Sequence, residues 1–123
     1  MPTITMTVRG GAELQRNLNR LAGAERRRAQ QDGLEAGARI VETYAKILVP
    51  VDTGTLKGSI MVDEVTPMQA IIAPHTDYAE HVEFGTSRME AQPYMRPALD
   101  EHENEIVQAV RDTVAAFVES VRA

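Results

Sequence analysis

The sequence predicts an α+β fold: a small, mostly antiparallel sheet with a long helix and a C-terminal helix packed on one face. Three observations carry this. Thr3 to Arg9 alternates apolar Ile4, Met6 and Val8 with Thr, the period-two pattern of a half-buried strand. Two long segments, about 24–48 and 97–121, repeat apolar groups every three or four residues, as helices do. Between them, Ile60 to Thr66 and Gln69 to Pro74 are short, rich in Val, Ile and Ala, and joined through Pro67, which reads as a hairpin. With 123 residues, 43% hydrophobic and 25% charged, the chain has the composition of one globular domain, 1–123, rather than of a disordered segment.

After the first strand, Gly10-Gly11 breaks the pattern and Leu14, Leu18 and Leu21 recur at helical spacing, with Gly23 as a stop. In the long helix, Leu34, Val41 and Leu48 fall seven apart, widened by Ile40, Tyr44 and Ile47. Gly37 lies on that stripe, where a missing side chain lets a sheet or helix approach closely. The front of this helix, Glu25-Arg26-Arg27-Arg28, is basic, either a solvated face or a patch for an acidic surface. Pro50 ends the helix. Asp52 then reads as a structural cap for a short turn from Thr53 to Ser59. The last helix opens at Pro97 and carries Leu99, Ile106, Val110, Val114, Phe117 and Val121 on one stripe. Its acidic start, Asp100 to Glu105, suits the positive end of the helix dipole.

The stretch 77–99 is the exception to periodicity. It holds two of the three Tyr and one of the two Phe of a chain without Trp. Tyr78, Ala79, Val82 and Phe84 suit one side of a short helical turn. Gly85 permits a reversal of backbone sign. Ser87 to Gln92 is polar. Pro93 and Pro97 bracket an extended piece. A loop that bears aromatics and is anchored at both ends suits contact with a partner. The residues expected to make it are Phe84, Gly85, Thr86, Arg88, Met89, Tyr94, Met95 and Arg96, on a loop protruding at about 85–96. Tyr94 and Met95 would be apolar anchors and Arg96 a directional hydrogen-bond donor.

The order Val49-Pro50-Val51-Asp52-Thr53-Gly54-Thr55-Leu56, then Tyr78-Ala79 and Val82-Glu83-Phe84-Gly85-Thr86, then Gln92-Pro93-Tyr94-Met95-Arg96-Pro97-Ala98-Leu99 resembles the neck and tail-completion proteins of tailed phages. These are tail components similar to gene product ten of a lambdoid phage. The resemblance spans roughly residues 30–120. It implies a small subunit that forms a homo-oligomeric ring, six copies in that family's pattern, at the head–tail junction of the virion. It implies neighbouring connector and tail-tube proteins as partners, and DNA only passing through the channel.

Other chemistry finds little support. The net charge of −5 argues against a general nucleic-acid binder, which needs basic surface. That charge is uneven. Residues 1–48 hold eight Lys/Arg and five Asp/Glu, net +3, and residues 49–123 hold five and thirteen, net −8. Such a split fits either two solvated helix faces or head-to-tail contact between identical subunits, since unlike patches steer association. No apolar run approaches membrane length, and the start lacks the pattern of a signal peptide. There is no Cys, and His75, His81 and His102 have no helical metal spacing, so no metal and no cofactor is expected. Asp52-Thr53-Gly54 is the triplet of aspartic proteases, but there it leaves an apolar strand in an all-β chain, and here it follows a helical pattern and a Pro. The chain is therefore read as a non-enzyme. A monomeric protein-binding module using the same loop is the rival class.

Overall fold

A 26-residue helix, α2 (Gly23–Leu48), runs through the molecule, and the other elements are placed by what they pack against it. In the computed structural model, which describes residues 2–7, 11–51 and 54–122, the order is β1 (Ile4–Met6), α1 (Ala12–Asn19), α2, α3 (Thr55–Ser59), β2 (Met61–Val65), β3 (Ala70–Ala73), α4 (Ala79–Phe84), α5 (Met95–Asp100) and α6 (Glu103–Arg122). The three strands form one antiparallel sheet in the order β1-β3-β2. The fold is the expected α+β arrangement, with the helices on one face and Thr3, Thr5 and Thr7 exposed on the other.

Two apolar clusters lie along α2. The larger joins Ile4, Met6 and Ile72 of the sheet to Leu34, Val41 and Ala45 of α2, and includes Met95 of α5 and Ile106 of α6. The smaller sits at the N-terminal end of α2, where Leu14, Leu18 and Leu21 meet Ala29, Val114 and Val118. α6 is antiparallel to α2 and approaches it over Gly33 and Gly37. A Cβ on Gly37 would lie 3.0–3.1 Å from Met6, Ile106 and Val110, so strand and helix both close on this glycine. Gly33, not singled out in the sequence, does the same one turn earlier against Val110 and Val114.

Several expected boundaries move. Gly23 does not stop α1 but begins α2. The C-terminal end of α1 is covered by Arg26, whose Nε donates to the Leu18 carbonyl at 3.1 Å, so only Arg27 and Arg28 of the basic triplet project into solvent. Glu64 does not share a face with Val62. A bulge between Val62 and Glu64 adds a residue, so Val62 and Val65 both reach the core. The Val62 N–H on this outer strand donates to Glu42 of α2 at 3.1 Å. The expected final helix is two helices, with a turn at Glu101–His102 where the His102 ring stacks on Tyr44, centroids 3.4 Å apart. Tyr44 in turn donates to Glu105 at 2.6 Å. The cap expected of Asp52 and the helical residue expected at Thr53 lie outside the described residues. The residue preceding α3 in the structure is Gly54, at φ +82°.

Candidate functional site

The non-periodic stretch owes its shape to Glu83. In α4, Ala79 and Glu83 stand four residues apart and both face inward, while Phe84, one residue on, is 65% exposed. Phe84 is thus not on the inner face with Ala79 and Val82, as the apolar spacing suggested. Glu83 is only 4% exposed. Its Oε1 accepts from the Tyr94 and Met95 N–H groups at 3.0 and 2.8 Å, and its Oε2 from the Arg96 N–H at 3.2 Å. These are the donors that the first turn of a helix leaves unpaired. A carboxylate eleven residues upstream therefore caps α5 and starts it at Met95, two residues before Pro97. Tyr94 reinforces the join by donating its hydroxyl to the Ala79 carbonyl at 3.0 Å. Burial first, then the Glu83 charge, push the Tyr94 phenol far above its ordinary value of 10.0.

The chain between these anchors is a closed loop. Gln92 N–H donates to Val82 C=O at 2.8 Å, and Thr86 and Met89 exchange backbone bonds at 2.8 and 3.3 Å. Gly85 stands at φ +77°, and a Cβ there would come within 2.8 Å of Ala91 N and 2.9 Å of Met89 O. The glycine expected to reverse the backbone is required both by its dihedral and by the close approach of the loop's far side.

Of the residues expected to meet a partner, Phe84, Thr86, Arg88, Met89 and Arg96 are exposed and Gly85 is partly so. Tyr94 and Met95 are 0% and 1% exposed and belong to the main core. Expected as apolar anchors of a partner contact, both instead pack inward within the subunit, because Glu83 turns the backbone there into a helix. The exposed run of this stretch is accordingly 84–93, with Gly85 partly buried. Beside it lies a concavity of about 600 Å³ lined by Pro50, Leu56, Tyr78, Val82, Met89 and Gln92. Ile47 and Val51, at the end of α2 and just beyond, are 67% and 62% exposed. Both lie within three residues of Pro50 in the chain and add exposed apolar side chains to this end of the molecule, the kind of surface that marks an interaction site when it gathers into a patch.

Gly54 sits between a long helix and a short one, and the chain is mixed α and β. Among the described residues, the elements on either side of it are helices, α2 and α3, not the apolar strand that an aspartic-protease triplet leaves. Among the described residues no helix is long and apolar enough to cross a membrane.

No curated protein and no solved structure matches the chain. A family model described as "Bacteriophage HK97-gp10, putative tail-component" matches residues 12–85, from the start of α1 to the glycine that ends α4. That match covers more than half of the chain, and it contains Glu83, Gly85 and most of the concavity's lining. The protein therefore belongs to the HK97-gp10-like family of phage tail components.

Proposed function

We propose that the protein is a structural virion component of a tailed bacteriophage that forms a homo-oligomeric ring, a hexamer, at the head–tail junction. In this reading it connects the tail to the head-side connector and leaves a channel for DNA. The observation that carries it is the apolar end formed by Ile47, Val51, Tyr78 and the clamped loop 84–93, in a chain of a phage tail-component family. A rigidly closed loop beside an open apolar concavity suits repeated docking between subunits better than catalysis, since binding to a preformed surface costs less ordering entropy. Protein neighbours in the neck would meet the faces of the ring, and DNA would pass without being held.

Native mass spectrometry of the purified chain, alone and with the adjoining connector and tail-tube proteins, tests the reading. A closed oligomer of one size is expected. A chain that stays monomeric in both conditions, or that is absent from purified virions, would sink it.

A further inference from the structure

The two outer edges of the sheet are not alike. The β2 edge is closed. Val62 N–H, opposite Ile72, turns away from β3 and donates to Glu42 at 3.1 Å. Glu42 is itself held between Arg39 and Lys46, at 3.6 and 3.9 Å. The bulge between Val62 and Glu64 also breaks the regular row of groups that a further strand would pair with.

The β1 edge is open, and the register says which groups it offers. Opposed residues of an antiparallel ladder alternate between bonded and unbonded pairs. Val62 spends its N–H on Glu42, so Ile72 turns its own backbone groups to the other side, towards Ile4. Thr5, the next residue of β1, therefore points its N–H and C=O away from the sheet. Among the described residues no turn, loop or cap bond fills them. A groove of about 420 Å³ runs beside these groups. Thr5, Met6 and Thr7 line it and no residue of β3 does, so it lies on the outer side of β1. Its other wall is Leu99 and one stripe of α6, from Glu103 through Val107 and Val110 to Arg111. The helix layer thus extends past the edge of the sheet. The stripe from Glu103 to Arg111 is about 12 Å long, the length of about four residues of strand.

We infer that β1 accepts an extended segment of a different protein as a fourth strand of the sheet. Thr5 N–H and C=O exchange bonds with the segment's backbone. The segment's alternate side chains enter the groove over Leu99, Val107 and Val110, so every second residue of it is apolar. The sheet of a second copy does not fit the same place. Its β2 edge is closed by its own Glu42, and its β1 edge lies beside its own projecting α6, so two helix layers would meet before the strands did. A free extended segment brings no such layer. The inference stands whether or not the chain forms a ring.

The probe is a synthetic library of capped seven-residue peptides with Val or Ile at alternate positions. Selected members are expected to bind the purified chain and to slow hydrogen exchange of the Thr5 amide about 10-fold or more, while the Ile4 amide, already turned to β3, changes little. Thr5→Pro removes the outward N–H at an edge position where Pro is tolerated, and is expected to weaken binding about 10-fold. Thr5→Val keeps the N–H and is expected to bind as the wild type does. Val107→Asp, at an exposed site, sets a charge against the entering apolar side chains and is expected to weaken binding at least as much. Circular dichroism checks the fold of each variant, and if Thr5→Pro unfolds, Val107→Asp and the exchange of Thr5 decide. The inference is overturned if no member of the library binds, if bound members leave Thr5 exchange unchanged, or if the folded variants bind as the wild type does. Protection of Thr5 that grows with chain concentration, without peptide, would assign the edge to a second copy and overturn the choice of partner.

Discussion

Glu83 shows how much a single buried carboxylate can organise. A charge so deeply buried is costly unless its oxygens are filled, and here three backbone N–H groups fill them. Glu83→Ala leaves those donors without an acceptor, and the expected loss is about 2–4 kcal/mol in chemical denaturation. Glu83→Gln keeps one oxygen, enough for the Tyr94 and Met95 N–H groups that share Oε1, and should lose roughly half as much. Tyr94 gives a pH signature. Its folded-state phenol titrates above the unfolded value, because burial and then Glu83 disfavour the tyrosinate. Tyr44 is raised in the same sense, first by its hydrogen bond to Glu105. A raised acid pKa means that the unfolded chain loses its proton first. The stability these phenols contribute is therefore intact below about pH 10 and falls as pH rises beyond it. Tyrosinate absorbance and circular dichroism are expected to change together for Tyr94 above that pH. A Tyr94 signal that titrates normally while the fold persists would contradict its burial. None of this was legible from spacing: the sequence showed an acid among Val82, Phe84 and Gly85, but nothing local says that its partners lie eleven to thirteen residues on.

At the scale of elements, what sequence could read was periodicity, and it read the helices and strands well. Alternation over Ile4 and Met6, the heptad spacing of Leu34, Val41 and Leu48, and the hairpin about Pro67 all correspond to observed elements. What periodicity could not read were departures driven from elsewhere. The bulge after Val62 sets two polar residues, Asp63 and Glu64, between the core-facing Val62 and Val65, a break in the period of two that simple alternation passes over, whereas the break at Glu101–His102 leaves the apolar phase from Leu99 to Ile106 unchanged and so leaves no mark in the pattern. The start of α5 before Pro97 depends on a remote cap. Gly37 is the converse case, a glycine whose close approach was expected and whose neighbours are now known. Adding a methyl there gains about 1 kcal/mol of helix propensity but forces Met6, Ile106 and Val110 apart, at about 1–3 kcal/mol. Gly37→Ala is expected to lower stability by about 1 kcal/mol net. Gly58→Ala, whose Cβ meets nothing within 4 Å, should raise it by about 0.4–1 kcal/mol. Thermal denaturation of the two variants side by side reads the difference, and equal signs would mean that α2 and α6 are less tightly apposed than described.

At the scale of the whole molecule, the proposed ring has two candidate lumen faces on each subunit: the open face of the sheet and the outer face of α6. A conduit for DNA should carry few basic groups on its wall, because each Lys or Arg contact with phosphate adds affinity that must be broken for passage. The open sheet face meets that requirement. Thr5 and Ile71 are paired there, Ile71 is paired with Glu64, and Thr3 and Thr7 flank them. The face of α6 is less suitable, since Arg111 is exposed on it beside Val107 and Gln108. The acids at the start of α6 are partly committed within the subunit, Glu105 to Tyr44, and Asp63 on the hairpin to His75 at 2.7 Å. Glu64 is thus the acid on the sheet face expected to line the lumen. Glu64→Lys would place one cation per subunit on the wall, six in a hexamer, and is expected to slow genome delivery most at low salt, where phosphate contacts are strongest. Arg27→Glu on the far end of α2 should leave delivery unchanged. A density map of the assembled neck decides the orientation directly: Arg27 and Arg28 projecting into the channel, with Glu64 outside, would make the assignment wrong.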